Sequence, residues 1–212
     1  MGSRRGYHHG DLARALVDAS VALVRAEGLD RFSLRAASRA ASVDPAAVYR
    51  HFHDRTALLE AVAQVAFAQL ADAMTDAMAA QDDDAARFGA AGRAYVRHAV
   101  AEPELFRLMF SPFGAGGPDR PALDHDAGQA GSSPYALLVE LVGALLGSQA
   151  MGDSVERAAV TAWSGVHGLA HLAVNGVLDT SSDLDQAVAD VVSGLEHGLA
   201  RRHPYSLPAA EG

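Results

Sequence analysis

The chain has 212 residues, half of them apolar and one fifth charged, with a formal net charge of −9; that length holds one sizeable core, or a module of about 50 residues beside a larger domain. With no cysteine, disulfides and thiolate metal sites are excluded, and no basic segment followed by an apolar run marks an export signal, so a cytoplasmic protein is expected. Every basic residue is Arg, and residues 1–60 hold nine of them against seven acids, a net of +2, while the remainder nets −11; the overall charge argues against nucleic acid, and the split is one that a DNA-facing head on an acidic body would show, although +2 is modest and does not decide it.

In chain order, Leu12, Leu16, Ala19 and Leu23 recur at helical period, which predicts a first helix over 11–26 ended at Gly28. Ser33 sits where a cap belongs before Leu34, Ala37 and Ala41, a short second helix. A break at Ser42-Val43 follows, and Asp44-Pro45 places an acidic cap and a proline at the start of a third helix. Residues 34–52 thus read as helix, tight turn, helix. From Asp54 an apolar pattern runs to about Ala80 without Gly or Pro, predicting a long helix. Another runs from the Asp82–Asp84 cluster to Ala101 with Phe88, Ala91, Tyr95 and His98 on one face, and a short piece covers Pro103–Phe110. Residues 111–134 collect Pro, Gly, Asp and Ser and predict a mobile loop; three helices, about 135–150, 154–176 and 183–202, close the chain. No uninterrupted apolar run reaches the roughly 18 residues of a membrane span, so no membrane partner is expected.

In the third helix Val48 and Phe52 are four apart and expected to pack inward, leaving Pro45, Ala46, Tyr49 and Arg50 outward as the strip a major groove would meet. Small side chains at Ala46 and Ala47 allow close approach to base edges, and Tyr49 can reach phosphate or base. Ser33 and the first turn of the second helix are candidates to hold a phosphate, Arg55 with His51 a second phosphate clamp, and Arg4, Arg5, His8 and His9 an arm following a groove. Singly, each of these residues could equally be an ordinary cap or a solvated surface group. Together, Tyr7-His8-His9-Gly10-Asp11-Leu12, Phe32-Ser33-Leu34-Arg35 and Asp44–Phe52 followed by Leu58-Leu59 resemble the TetR family of bacterial regulators, over about residues 7–60. The resemblance departs at two positions: Ser42 stands where the family usually has Gly, implying a strained or altered turn, and Asp44 stands where it usually has Ser or Thr, which keeps the cap but sets a negative charge near DNA, able either to accept a hydrogen bond from cytosine or simply to lower non-specific affinity.

Further on, Trp163-Ser164-Gly165-Val166-His167-Gly168, with Pro103–Phe110, resembles the Trp-His-Gly (WHG) class of C-terminal domain, which implies a helical ligand-sensing and dimerisation body. Trp163, His167 and His171 repeat every four residues. They read as structural histidines, or with Tyr95, His98, Phe106, Met109 and Phe110 as the lining of an effector pocket, or, through the His-x-x-x-His spacing, as metal ligands. Gly165, Gly168, Gly194 and Gly198 thin two helices for close contact, in a dimer interface as the resemblance implies or within one chain.

The expected protein is therefore all-α: a three-helix helix-turn-helix DNA-binding domain over 1–53, and a larger helical effector-binding and dimerisation domain over 54–212. The function expected is that of a homodimeric repressor, without cofactor or catalysis, released from double-stranded operator DNA by an unidentified small-molecule effector. Two alternatives stay open: a DNA-binding regulator with no effector, and a metal-dependent enzyme built on His167 and His171.

Overall fold

The computed structural model describes residues 9–114, 133–147, 152–178 and 184–202. Among these, every regular element is helical: α1 His9–Glu27, α2 Leu34–Ala40, α3 Pro45–His51, α4 Arg55–Ala79, α5 Asp84–Ala101, α6 Pro103–Met109, α7 Pro134–Leu146, α8 Gly152–Val174 and α9 Leu184–Arg202. Five of the described helix starts carry side-chain caps, at Ser33 and Asp44 as the sequence implies. Ser33 accepts from the Ala36 N–H, Asp44 from Ala46, Asp54 from Ala57, Asp83 from Ala86 and Ser133 from Ala136, each satisfying a donor that the first helical turn leaves open.

The residues group into two compact units, 1–67 with 102–124, and 68–101 with 125–212. The boundary expected between 53 and 54 falls inside the first unit. There α1, α2 and α3 pack on one another and α6 packs on α1. Its core holds Leu16, Val24, Phe32, Val48, Leu58, Leu59 and Val62 with Leu105, Phe106, Leu108 and Met109. The α1 stripe differs from the expected one: Leu16, Ser20 and Val24 are buried, whereas Ala19 and Leu23 are half-buried. An Arg25 to Glu102 ion pair of 2.7 Å ties α1 to the start of α6.

In the second unit α5, α7, α8 and α9 pack together, with Phe88, Val96, Leu141, Val142, Ala159, Ala162, Val188 and Val192 among the buried side chains. Helix α7 stops at Leu146, short of the expected 150, because Gly147 takes φ +77 and turns its N–H back to Gly143 and Ala144. By length and composition α4 could cross a membrane; Leu58, Leu59, Val62, Ala66, Leu70, Met74 and Met78 account for that apolarity as buried core. The expected loop lies outside the described residues over 115–132, as do Arg4, Arg5 and His8 of the expected arm, while His9 is the first residue of α1.

Candidate nucleic-acid interface

The joint between α2 and α3 is built by hydrogen bonds that hold a residue in left-handed conformation. Ser42 has φ +55. The Val43 N–H returns to Ser38 O at 3.0 Å and the Ser42 N–H to Arg39 O at 3.1 Å, a Schellman closure. The Ser38 hydroxyl, 2 % exposed, donates to Val43 O at 2.7 Å and locks the far side of the same turn. Asp44 then enters α3 in extended conformation, accepts the Ala46 N–H at 2.7 Å and hands the chain to Pro45.

Helix α3 presents Asp44, Pro45, Ala46, Tyr49 and Arg50 to solvent; Tyr49, at 57 % exposed, is an unusually bare aromatic. Val48 is fully buried, as its spacing implies, but Phe52 is only half-buried because it is the C-cap, with its N–H on Val48 O. Ala47 departs from expectation: its side chain is 6 % exposed and packs inward beside Val48, so the close approach falls to Ala46. Ser33 is exposed beside its cap bond, and His51 is half-buried.

Arg55 also departs from expectation. Its guanidinium donates to Leu29 O at 2.7 Å and Phe32 O at 3.2 Å, and stands 5.0 Å over the Phe113 ring and 5.9 Å over that of Phe32. These contacts tie the start of α4 to the α1–α2 loop, which makes Arg55 a fastener of the head in place of the expected phosphate clamp.

In the second unit the structure joins Tyr95 of α5 to Trp163 and His167 of α8. Trp163 Nε1 donates to Tyr95 Oη at 3.3 Å, and Tyr95 Oη stands 2.9 Å from His167 Nδ1. An indole nitrogen can only donate, so Tyr95 accepts from Trp163; in the neutral His167 tautomer with its hydrogen on Nε2, the Tyr95 hydroxyl donates to Nδ1. Burial pushes the Tyr95 phenol well above its ordinary value, against a smaller lowering by the Trp163 bond. Desolvation, then the like charge of His171, holds His167 below the usual histidine value. Tyr135, which the sequence did not single out, stands 5.9 Å edge-on to Trp163, and the exposed His171 is 6.2 Å from His167.

His98 lies half-buried on α5 in the same unit. Phe106, Met109 and Phe110, expected beside these residues, belong instead to the first unit, where Phe110 meets the rings of Phe67 and Phe106 at 5.7 and 5.0 Å. Among the described residues no group of three His, Cys, Asp or Glu side chains is placed to hold a metal ion.

Two family models match the chain. Residues 16–62 match the bacterial regulatory proteins of the tetR family, and residues 88–195, half of the chain, match the tetracyclin repressor-like C-terminal domain. The chain belongs to the TetR family. The helix-turn-helix of a TetR-family DNA-binding transcription regulator is thus the segment α2–α3 whose joint is described above. No curated protein matches the sequence. Among solved structures, a protein of unknown function from Rhodococcus sp. RHA1 is 35 % identical, with 93 % of this chain and 100 % of that one covered at a TM-score of 0.72. A TetR family transcription regulator from Marinobacter aquaeolei VT8 shares 18 % identity over 89 % of this chain and 95 % of that one, at a TM-score of 0.58. A TetR variant from Acinetobacter baumannii AYE in complex with minocycline shares 15 % over 89 % and 96 %, at 0.62.

Of the four expected interface glycines, Gly165 serves packing within the chain: an added Cβ there would lie 2.8 Å from Leu195 of α9. At Gly168, Gly194 and Gly198 an added Cβ would meet nothing within 4 Å. The Ser38 lock escaped the sequence reading because a serine inside a helix looks solvated, and its partner lies beyond the turn.

Proposed function

We propose that this TetR-family regulator is a homodimeric repressor that inserts α3 into successive major grooves of a pseudo-palindromic operator, and that a small molecule bound in the helical body releases it. The exposed strip Pro45, Ala46, Tyr49 and Arg50 carries the reading. A short helix held by a side-chain cap at one end and buried Ala47 and Val48 behind presents that strip rigidly, as groove recognition requires. Ser33, Asp44 and His51 flank it, Arg4, Arg5, His8 and His9 are assigned to an arm along the duplex, and Gly168, Gly194 and Gly198 to the contact between two copies. The effector site is assigned to Tyr95, His98, Trp163, His167 and His171; the minocycline complex of the Acinetobacter relative supports a ligand in such a body. Trp163–Gly168 supports placing this body in the WHG class, and the soluble regulators of the family support a cytoplasmic protein that is not an enzyme.

The test is Tyr49→Ala. Tyr49 is exposed and makes no core contact that folding needs, so the variant is expected to keep the wild-type melting temperature and assembly state while operator affinity falls at least tenfold in a gel-shift titration, about 1.4 kcal/mol. Unchanged affinity would sink the assignment of α3.

A further inference from the structure

We infer that Asp44 selects the base pair at one position of each operator half-site by accepting a hydrogen bond from the exocyclic N4 of cytosine. The inference rests on the reading of α3 as the groove-facing helix. Asp44 is exposed on the same strip as Ala46 and Tyr49, and its Oδ1 is held at 2.7 Å by the Ala46 N–H, which fixes the plane of the carboxylate. An ionised carboxylate has lone pairs to spare beyond that one bond. Because the cap already occupies the Ala46 N–H and adds a negative charge, this end of α3 is not a place for phosphate.

Some other carboxylates of the same unit are paired, Glu102 with Arg25 and Glu104 with Arg107. Among the described residues no cation lies within ion-pair distance of Asp44. A bare carboxylate set against a polyanion disfavours every DNA sequence alike, and the cost is offset only where a base edge donates to it. In the major groove the donors are N4 of cytosine and N6 of adenine. Adenine carries the acceptor N7 beside N6, which repels a carboxylate, whereas the same edge of cytosine carries no acceptor of its own. Asp44 therefore acts against wrong sites as much as for the right one.

The experiment is selection of bound duplexes from a random pool by the full-length wild type, Asp44→Ser and Asp44→Asn. Both replacements keep a good N-cap, so equal melting temperatures verify that α3 is intact. The wild type is expected to enrich cytosine at one symmetry-related position in each half-site, with replacement of that base weakening binding about 5- to 150-fold. Asp44→Ser should flatten that position, Asp44→Asn should move it toward adenine, and all other positions should stay unchanged. Identical base preferences for the three proteins would overturn the role of Asp44 while leaving α3 on the DNA. If the wild type enriches no site at all, both readings fall.

Discussion

Ser42 occupies a backbone conformation, φ +55, that costs an L-residue roughly 1–2 kcal/mol. It is held there by the Val43 to Ser38 and Ser42 to Arg39 backbone bonds and by the buried Ser38 hydroxyl on Val43 O. The strain sits in the joint that sets the angle between α2 and α3. Ser42→Gly removes the Cβ conflict and adds about 0.5–1 kcal/mol of chain entropy to the unfolded state, so a net gain of up to about 1 kcal/mol is expected. Ser38→Ala, by contrast, should cost about 1–2 kcal/mol, because it removes the donor to the part-buried Val43 carbonyl and leaves a gap where the buried hydroxyl was. Urea unfolding reads both as shifts of midpoint at constant m; a lower midpoint for Ser42→Gly would mean that the turn is not strained. The strain was legible in the sequence, where Ser replaces the usual Gly. Ser38 was not, because its bond spans the turn, and neither was the inward side of Ala47, since two adjacent alanines look alike until the helix is packed.

At the scale of elements, the caps at Ser33 and Asp44 marked helix starts that the structure keeps, since a cap is a local bond written in three or four residues. Contacts across long stretches of chain were not legible. The stripe Trp163, His167, His171 and the inward Tyr95 could each be placed on a helix, but their joining spans 68 and 72 residues. That clasp of α5 to α8 predicts a pH dependence. A protonated His167 would present an N–H to Tyr95 Oη, already the acceptor of the Trp163 N–H, so that nitrogen could no longer accept from the buried Tyr95 hydroxyl. With its folded value held below the ordinary 6.5, the unfolded chain binds the extra proton first. Stability is therefore full above about pH 6.5 and declines as pH falls through the lowered value. Tyr95 on α5, Tyr135 on α7, and His171 and, through Tyr135, Glu156 on α8 are among the titratable groups of this cluster, and α9 contributes Leu195 against Gly165. Melting curves between pH 7.5 and 5 should fall more steeply for the wild type than for His167→Gln; parallel curves would refute the clasp as a proton-sensitive joint.

For the whole molecule, the difficulty is affinity. A chain of net charge −9 has no long-range attraction to DNA, and a head of net +2 makes few of the phosphate contacts that drive binding. In the proposed homodimer, two heads joined as one body would convert the second half-site into an intramolecular event, which multiplies affinity without any new contact. The helical body has features suited to such joining. Gly168, Gly194 and Gly198 each cost a helix roughly 1 kcal/mol against alanine, and at none of them would a Cβ meet anything within 4 Å in this chain. Val160 and Leu172 of α8 are 39 % and 43 % exposed. A second copy laid against α8 and α9 would account for both the small residues and the bare apolar ones. Gly194→Leu then has effects of opposite sign on the two levels of structure. Within one chain it should be neutral or stabilising by up to about 1 kcal/mol, since leucine favours the helix and its Cβ meets nothing within 4 Å. Between chains it should intrude on the partner and lower the sedimenting mass from twice 22.0 kDa to that of a single chain, with operator affinity falling at least a hundredfold. A Gly194→Leu protein that still sediments as a dimer would remove α9 from the interface.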